Sequence, residues 1–301
     1  MAKPVIIRGE QIRNMGVAFS TRFQGALKGA TSLYTQIATE VQSGTREQDY
    51  GWLNDLPSIR KWVGDRLVRE LSASSYTIKN DPWEGTIGVD RDDVEDDNIG
   101  LYATKIDVLA DSAARHPDEL SFGLLNAGFT TTCYDGQYFF DTDHPVLDKD
   151  GNETSFANTD GGSGAGWYLA ATGSPLKPII FQSRRNFQFV SKDSPNDDGV
   201  FWQKKFYYGC DARYNVGFGL PQLCWGSKQT LDAAHFNTAY DSLFAMPRDG
   251  GGKIAPTSFT LVVGPSNRAA AEGVIGAAFL AGGATNVNYQ KAKLLVVPWL
   301  D

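Results

Sequence analysis

The residue types most able to do chemistry in this chain are Cys133 and His144, which stand close together in the sequence. A cysteine near a histidine can act as a nucleophile activated by a base, and Asp141 and Asp143 could orient the imidazole or bind a metal ion with it. The alternative is a turn over 139–145 in which side chains cap backbone N–H groups. The turn is the better interpretation, because aspartates before a proline commonly have this role. No GxSxG motif marks a serine nucleophile.

A second run with chemical character is 148–153, which reads Asp-Lys-Asp-Gly-Asn-Glu and resembles half of a calcium-binding loop. Its glycine is misplaced for an EF-hand, and no closing glutamate lies at the position that such a loop requires. A solvated hairpin tip explains the same residues.

The acidic run 90–97, which includes Asp92 and Asp93, allows three interpretations. Clustered carboxylates suit a divalent cation, and they also cap the positive end of a following helix. They could instead pair with basic residues of a neighbouring subunit, with candidates Arg60, Lys61, Arg66 and Arg69. From the residues alone we predict no catalytic residue, no cofactor-binding residue and no metal ligand.

Charge and aromatic residues single out the stretch 40–97. It holds 14 acidic and 7 basic residues, a balance of −7 that equals the net charge of the whole chain. It lies inside a gap without phenylalanine that runs from Phe23 to Phe122. Tyrosine and tryptophan are present instead, including Tyr50, Trp52, Trp62 and Trp83, and these residue types are favoured at protein–protein interfaces. The stretch is typical of an arm that lies on another protein.

The composition of the whole chain limits the classes of protein to which it can belong. The chain has 301 residues, of which 42% are hydrophobic, enough for a buried core and for two lobes. It contains no apolar run of transmembrane length, and its first residues are too short in apolar length for a signal peptide, so we expect a soluble protein made in a cytoplasm. Three cysteines without CxxC spacing are expected to be reduced. A sequence pI near 5.1 argues against tight wrapping of nucleic acid.

Hydrophobic periodicity predicts the elements that position these residues. Apolar steps of three and four predict a helix over 10–28 and a long, slightly broken helix over 98–128, while 33–42 alternates as a strand does. Glycines and prolines divide 43–97 into pieces too short for a core of their own. Antiparallel strands are predicted at 186–190, 200–208 and 214–220, and a helix at 231–245. A strand–helix–strand unit is predicted over 259–263, 265–280 and 294–297.

Several runs of this sequence together resemble the major head subunit of Mu-like phages and prophages. They span nearly the whole chain in order: YTQIATEV (34–41), YGWL (50–53), RKWVGDR (60–66), YTIKN (76–80), GVDRDDVEDD (88–97), HPDEL (116–120), CYDGQ (133–137), FDTDHP (140–145), YGCDAR (208–213) and LLVVPWL (294–300).

The resemblance implies the α+β capsid fold named after the phage Hong Kong 97. On this sequence it implies an N-terminal arm and first helix at 1–39, and a two-stranded excursion, called the extended loop, at 40–97. A peripheral domain would take 98–128, with a long spine helix, and 175–226, with an antiparallel sheet. An axial domain would take 129–174 and 227–301.

The function implied by the resemblance is that of a structural protein, not an enzyme. It would form pentamers and hexamers of an icosahedral head shell around double-stranded DNA, without a cofactor, without sequence-specific DNA binding and without a membrane. A separate scaffold or protease, a portal and a decoration protein would be its partners in the virion, and the host cytoplasm its location before assembly. The expected subunit interface comprises Tyr50, Trp52, Arg60, Trp62, Arg66, Trp83, Asp92 and Asp93.

The alternative function is a β-rich hydrolase or a calcium-dependent binding module that uses the 141–153 loop. For the extended loop, the expectation is that Trp52→Ala, or deletion of 45–95, leaves a folded subunit that fails to assemble.

Overall fold

A computed structural model describes residues 9–54, 76–95, 100–194, 196–280 and 282–301. The chain divides into two compact units, each with its own core. The first takes the described residues of Met1–Ser32, Asn80–Asp118 and Ser183–Asn215, and the second those of Leu33–Lys79, Glu119–Gln182 and Val216–Asp301. Among the described residues, no helix combines the length and the apolar character needed to cross a lipid bilayer.

The regular elements alternate between helices and strands along the chain. The α-helices are α1 (Gly9–Gly29), α2 (Arg91–Glu95), α3 (Gly100–Ala127), α4 (Asp198–Gln203), α5 (Ala233–Ala245) and α6 (Arg268–Ala271). The strands are β1 (Ala38–Gln42), β2 (Glu47–Asp49), β3 (Thr77–Lys79), β4 (Asp81–Asp90), β5 (His144–Leu147), β6 (Glu153–Phe156), β7 (Thr159–Gly162), β8 (Trp167–Ala171), β9 (Ile179–Lys192), β10 (Lys205–Phe218), β11 (Cys224–Lys228), β12 (Phe259–Val263) and β13 (Lys293–Val296). Short 3₁₀ turns lie at Tyr34–Gln36, Gly51–Asn54, Pro221–Leu223, Pro265–Asn267 and Pro298–Leu300.

The core of the first unit is built by two amphipathic helices and a sheet. Helix α1 buries one apolar stripe at steps of three and four, as the sequence predicts, and α3 buries another. Strands β4 and β10 contribute the opposing side chains. The buried residues of this core include Ile12, Met15, Phe19, Phe23, Tyr102, Ile106, Ala110, Val89, Phe206 and Tyr208.

Strand β4 shows that part of the 43–97 region belongs to a core. It pairs antiparallel with β10 over its full length, from Asp81 opposite Tyr214 to Asp90 opposite Lys205, and Val89 is fully buried. The four-stranded sheet has the order β1–β9–β10–β4. The prediction that 43–97 contains only short pieces is therefore wrong for 81–90. The reason is that the partner strand lies more than a hundred residues away, beyond the reach of a local pattern.

The second unit is organised by a five-stranded mixed sheet of order β13–β12–β8–β11–β7. Every residue of β8 and β12 is buried, as is usual for central strands. Helix α5 adds Phe236, Ala239 and Leu243 to the same core. Strands β12 and β13 are parallel, with Leu261 opposite Leu294, which confirms the predicted strand–helix–strand unit.

Three local predictions need correction. The strand expected over 200–208 begins only at Lys205, because 198–203 forms the short helix α4, which ends at Lys204 in the left-handed conformation. The helix expected over 265–280 ends at Gly276, after a five-residue π-helical stretch that contains two glycines, residues with poor helix propensity. Helix α3 continues through Pro117 without a break, since a proline removes one backbone N–H donor and need not end a helix that packing supports.

Candidate functional site

The candidate catalytic pair Cys133 and His144 meets at a third residue, Asp135. His144 Nδ1 lies 2.7 Å from Asp135 Oδ2, and the Cys133 thiol donates to Asp135 Oδ1 at 3.0 Å. The backbone N–H of Gln137 donates to the same oxygen. The turn preferred from the sequence is consistent with the backbone hydrogen bonds of Asp141, and the acid that contacts the ring of His144 is Asp135, which the sequence did not single out.

The electrostatics of this cluster favour packing over catalysis. Burial, together with the nearby carboxylate of Asp135, raises the pKa of the Cys133 thiol, and a neutral thiol is a poor nucleophile. Burial would also raise the pKa of Asp135, but the hydrogen bonds from His144 and Cys133 outweigh it and lower that pKa. The ionised carboxylate can only accept, so His144 donates through Nδ1. The imidazole is fully buried and stacks on Phe156 at 5.0 Å.

A metal ion at this cluster would bind through the side-chain atoms that already form these hydrogen bonds. The thiol, carboxylate and imidazole ligand atoms of Cys133, Asp135 and His144 lie within 4.8 Å of one another, and zinc accepts all three types. The Asp135 carboxylate accepts from three donors of its own chain, which explains the cluster as a hydrogen-bonded core element, while the buried His144 Nε2 has no hydrogen-bond partner among the described residues.

The two remaining loop candidates are also satisfied internally. Asp141 Oδ1 accepts from the N–H of Thr142, and Asp141 donates its own N–H to Asn158, which is turn chemistry. Asp148 accepts from the N–H groups of Asp150 and Asn152 at the tip of the β5–β6 hairpin. These are the hydrogen bonds of ordinary turns, and they give no support to the hydrolase or calcium-module alternative.

The acidic pair Asp92 and Asp93 lies in the first turn of α2. The Asp93 carboxylate accepts from the Tyr102 hydroxyl at 2.5 Å, and Asp92 lies 3.7 Å from the ammonium of Lys204. The first turn of α3 carries no acidic residue, so within the described part of the run the carboxylates serve α2 and its neighbours instead of capping the long helix. A role for Asp92 and Asp93 between subunits stays a prediction.

Tyr50 lies at the base of the extended loop and in the core of the second unit. It is 1% exposed, and its hydroxyl donates to Gln182 Oε1 at 2.8 Å. Burial, with a smaller contribution from Tyr76, raises the pKa of Tyr50 to about 12. Its backbone N–H donates to the carbonyl of Tyr76 at 2.8 Å. Tyr50 therefore belongs to the core of its own subunit beside β2 and β3, and a role for it at a subunit interface stays a prediction.

The central residues predicted for the interface lie outside the described residues. They are Arg60, Trp62 and Arg66, together with the side chain of Trp52, whose backbone lies in the 3₁₀ turn Gly51–Asn54. Their contact with a neighbouring subunit stays a prediction.

Trp83, the third tryptophan of the expected subunit interface, is half-buried in its own chain. Its indole N–H donates to the carbonyl of Tyr214 at 3.0 Å, and its ring lies 4.3 Å from the ring of His116. The Tyr214 hydroxyl lies in turn 2.6 Å from His116 Nδ1. Trp83 thus has a structural role within the first unit, and any further contact with a neighbour stays a prediction.

Exposed apolar side chains mark surfaces that the sequence did not indicate. In the first unit, Phe201 and Trp202 are 72% and 77% exposed. In the second unit, Phe279 and Val287 are 68% and 72% exposed. The sequence missed Phe201 and Trp202 because a Val-Phe-Trp run is typical of a strand, where alternate residues are buried. Only the helical register of α4 turns both rings outward.

Comparison with known proteins gives one family along the whole length of the chain. The family described as "Mu-like prophage major head subunit gpT" matches residues 12–300. The major capsid protein of Escherichia phage Mu is 37% identical over an alignment of 300 positions, which covers 97% of this chain and 98% of that protein.

Solved structures agree with the sequence relatives. A chain of the procapsid of bacteriophage JBD30 superposes with a TM-score of 0.87 and 40% identity, covering 98% of this chain and all of that one. A chain of the JBD30 capsid decorated with minor capsid protein trimers gives a TM-score of 0.75 and 31% identity, with 93% and 94% covered.

Proposed function

The chain belongs to the family of Mu-like prophage major head subunits, and we propose that it builds its shell from pentamers and hexamers. It is a major capsid protein that forms the head shell of a Mu-like phage, and its place is in the virion. Its fold is that of phage capsid proteins, the Hong Kong 97-like fold that the sequence resemblance implied. The hydrolase or calcium-module alternative has no support. The relatives of this chain are structural proteins, and we propose that this chain likewise has no catalytic activity.

The extended loop is proposed as the segment that joins neighbouring subunits. The observation that carries this proposal is that hydrogen bonds join the two sides of the loop at its base. Strands β2 and β3 are paired, with Gln48 opposite Ile78, and the backbone N–H of Tyr50 donates to the carbonyl of Tyr76. Closing the base fixes the two ends of 51–75 at one place on the subunit. The tryptophans between them, Trp52 and Trp62, would then serve as anchors on the neighbour, since interface hot spots favour buried aromatic residues.

The charge of the chain suits a shell that encloses DNA without holding it tightly. With 28 basic and 35 acidic residues, few cations are available to release counterions from phosphates. We propose that the packaged double-stranded DNA is bound without sequence preference. The excess of acidic over basic residues in 40–97 would instead help to align neighbouring subunits, because charges at an interface determine orientation more than affinity.

The remaining partners are proposed on the same basis. The JBD30 capsid is decorated with minor capsid protein trimers, which supports a decoration protein on this shell also. A separate scaffold or protease and a portal would complete the head, and assembly would take place in the host cytoplasm.

Negative-stain electron microscopy of the purified chain tests the proposal. The expected images contain shells, tubes or isolated five- and sixfold capsomers, and a separate scaffold can be added to convert capsomers into shells. A chain that stays a monodisperse monomer under all conditions, with and without scaffold, would contradict the proposed assembly.

A further inference from the structure

We propose that Phe201 and Trp202 form a contact between two copies of this chain in the assembled shell. They lie at the end of the hairpin that β9 and β10 form. Residues 192–205 at this end of the hairpin are called the aromatic tip. The inference rests on the shell-forming function and adds to it an interface separate from the extended loop.

Exposure is the first observation. Trp202, at 77% exposed, is the most exposed large hydrophobic residue in the described part of the chain, and Phe201 beside it is 72% exposed. Their rings contact each other edge to face, with centroids 4.9 Å apart. Two aromatic side chains of this exposure present about 300 Å² of apolar surface, and a continuous patch of that size commonly marks an interaction site.

The described residues on either side of the pair are held by contacts within their own chain. Val200, next to the pair, is 4% exposed and packs in the core of the first unit. At the C-terminal end of α4, Lys204 adopts φ 54°, and its carbonyl accepts from the N–H of Arg91 at 2.9 Å. At the other end, the Asp197 carboxylate accepts from the N–H of Ser194 at 3.0 Å. A fixed aromatic pair loses little conformational entropy on binding, which favours a binding surface.

The charges around the pair indicate the kind of partner. Residues 192–205 contain three lysines, Lys192, Lys204 and Lys205, and three aspartates, Asp193, Asp197 and Asp198, so their net charge is zero. Packaged DNA or an anionic surface would require a basic excess, which is missing. An apolar pair within a segment of balanced charge is complementary to a surface of the same mixed character, and the shell supplies such a surface in many identical copies. The partner is therefore a second copy of this chain.

Site-specific photo-crosslinking identifies the partner. The substitution Trp202→p-benzoylphenylalanine keeps an aromatic ring at the tip, and it is made in a system where the unmodified chain forms shells. Irradiation of the variant shells is expected to give covalent dimers of the chain, whereas the same variant irradiated as dilute unassembled subunit gives none. Shells that yield no dimer, or that yield a crosslink to a minor capsid protein alone, would overturn the inference. Shells that never form from the unmodified chain would instead contradict the proposed function.

Truncation gives a second, independent readout. The double variant Phe201→Ala, Trp202→Ala is expected to keep the circular dichroism spectrum and melting temperature of the unmodified subunit, because neither ring is in the core. Its yield of shells is expected to fall at least tenfold, while Trp202→Phe keeps most of the yield. Normal shell yield from the double variant would refute the contact. A changed spectrum would also refute it, because the rings would then be part of the core.

Discussion

Gln182 joins the two sides of the extended loop's base: its Oε1 accepts from the hydroxyl of Tyr50 at 2.8 Å, and its Nε2 donates to the carbonyl of Ile78 at 3.0 Å. The side chain of Gln182 is fully buried. One amide therefore bonds both to the residue that follows β2 and to strand β3. The hydrogen bonds that stabilise the base therefore lie within one subunit, and they do not depend on contacts between the loop and another subunit.

Tyr50→Phe tests this arrangement. The substitution removes the donor and leaves Gln182 Oε1 buried without it, so the free energy of unfolding should fall by about 1–3 kcal/mol. Urea denaturation of the unassembled subunit measures the change. The matched control is Tyr138→Phe, which alters a tyrosine that is 47% exposed and should change the value by less than about 0.5 kcal/mol. Equal effects from the two variants would show that the buried bond contributes nothing.

Shortening the extended loop separates folding from assembly. Replacement of 55–75 by a glycine–serine linker of about six residues leaves β2, β3 and β4 intact, and such linkers are flexible enough to close the base. The variant should keep the secondary structure of the subunit and lose shell formation, as judged by circular dichroism and negative-stain microscopy. Shells at normal yield would mean that the loop does not join subunits.

Deletion of the wider stretch 45–95 has a different expected outcome. The sequence alone suggested a folded subunit that cannot assemble, but this deletion removes β4, which pairs with β10 over ten residues, and the buried Val89. Loss of a sheet strand and of core packing should unfold the first unit. A native melting transition in that variant would contradict the position given to β4.

Trp83 and Trp202 make a matched pair of tryptophans. Trp83→Ala removes the hydrogen bond to Tyr214 and the ring contact with His116, and should lower the free energy of unfolding by about 2 kcal/mol. Trp202→Ala, which truncates an exposed ring, should leave that free energy within about 0.5 kcal/mol of the original value. Thermal and urea unfolding of the unassembled subunits measure both. The reverse order of effects would be inconsistent with the structure.

Asp135 should make the subunit sensitive to acid. Its pKa is lower in the folded state than in the unfolded chain, so its contribution to stability is present above about pH 4 and is lost as the pH falls through the folded pKa. Asp135→Asn should therefore reduce the free energy of unfolding at pH 7 by about 1–3 kcal/mol and flatten its decline below pH 4. The control is Asp241→Asn, at an exposed position of α5. An unchanged acid dependence in Asp135→Asn would rule out this coupling to His144.

The sequence was most informative where a pattern is local. Phe259–Val263 is a strand with the predicted bounds, and the helices over 9–29, 100–127 and 233–245 lie within two residues of the periodic segments that indicated them. Each has a continuous apolar pattern that needs no distant partner to be recognised.

The sequence was least informative where long-range contacts decide the structure. Asp135, rather than Asp141 or Asp143, is the partner of His144, because the turn that brings it there is not encoded in the spacing of acids near the histidine. The strand β4 depends on β10, and the helical register of 198–203 overrides the β propensity of Val200 and Phe201. The family resemblance supplied what local patterns could not, namely the capsid fold.

Electron cryo-microscopy of shells assembled from this chain tests the central claim most directly. The expected map is a closed icosahedral shell in which each copy has the two-unit fold and residues 55–75 of one copy lie on the next. A closed shell in which 55–75 contacts only its own subunit, or particles built from a different protein with this chain absent from the wall, would contradict the account.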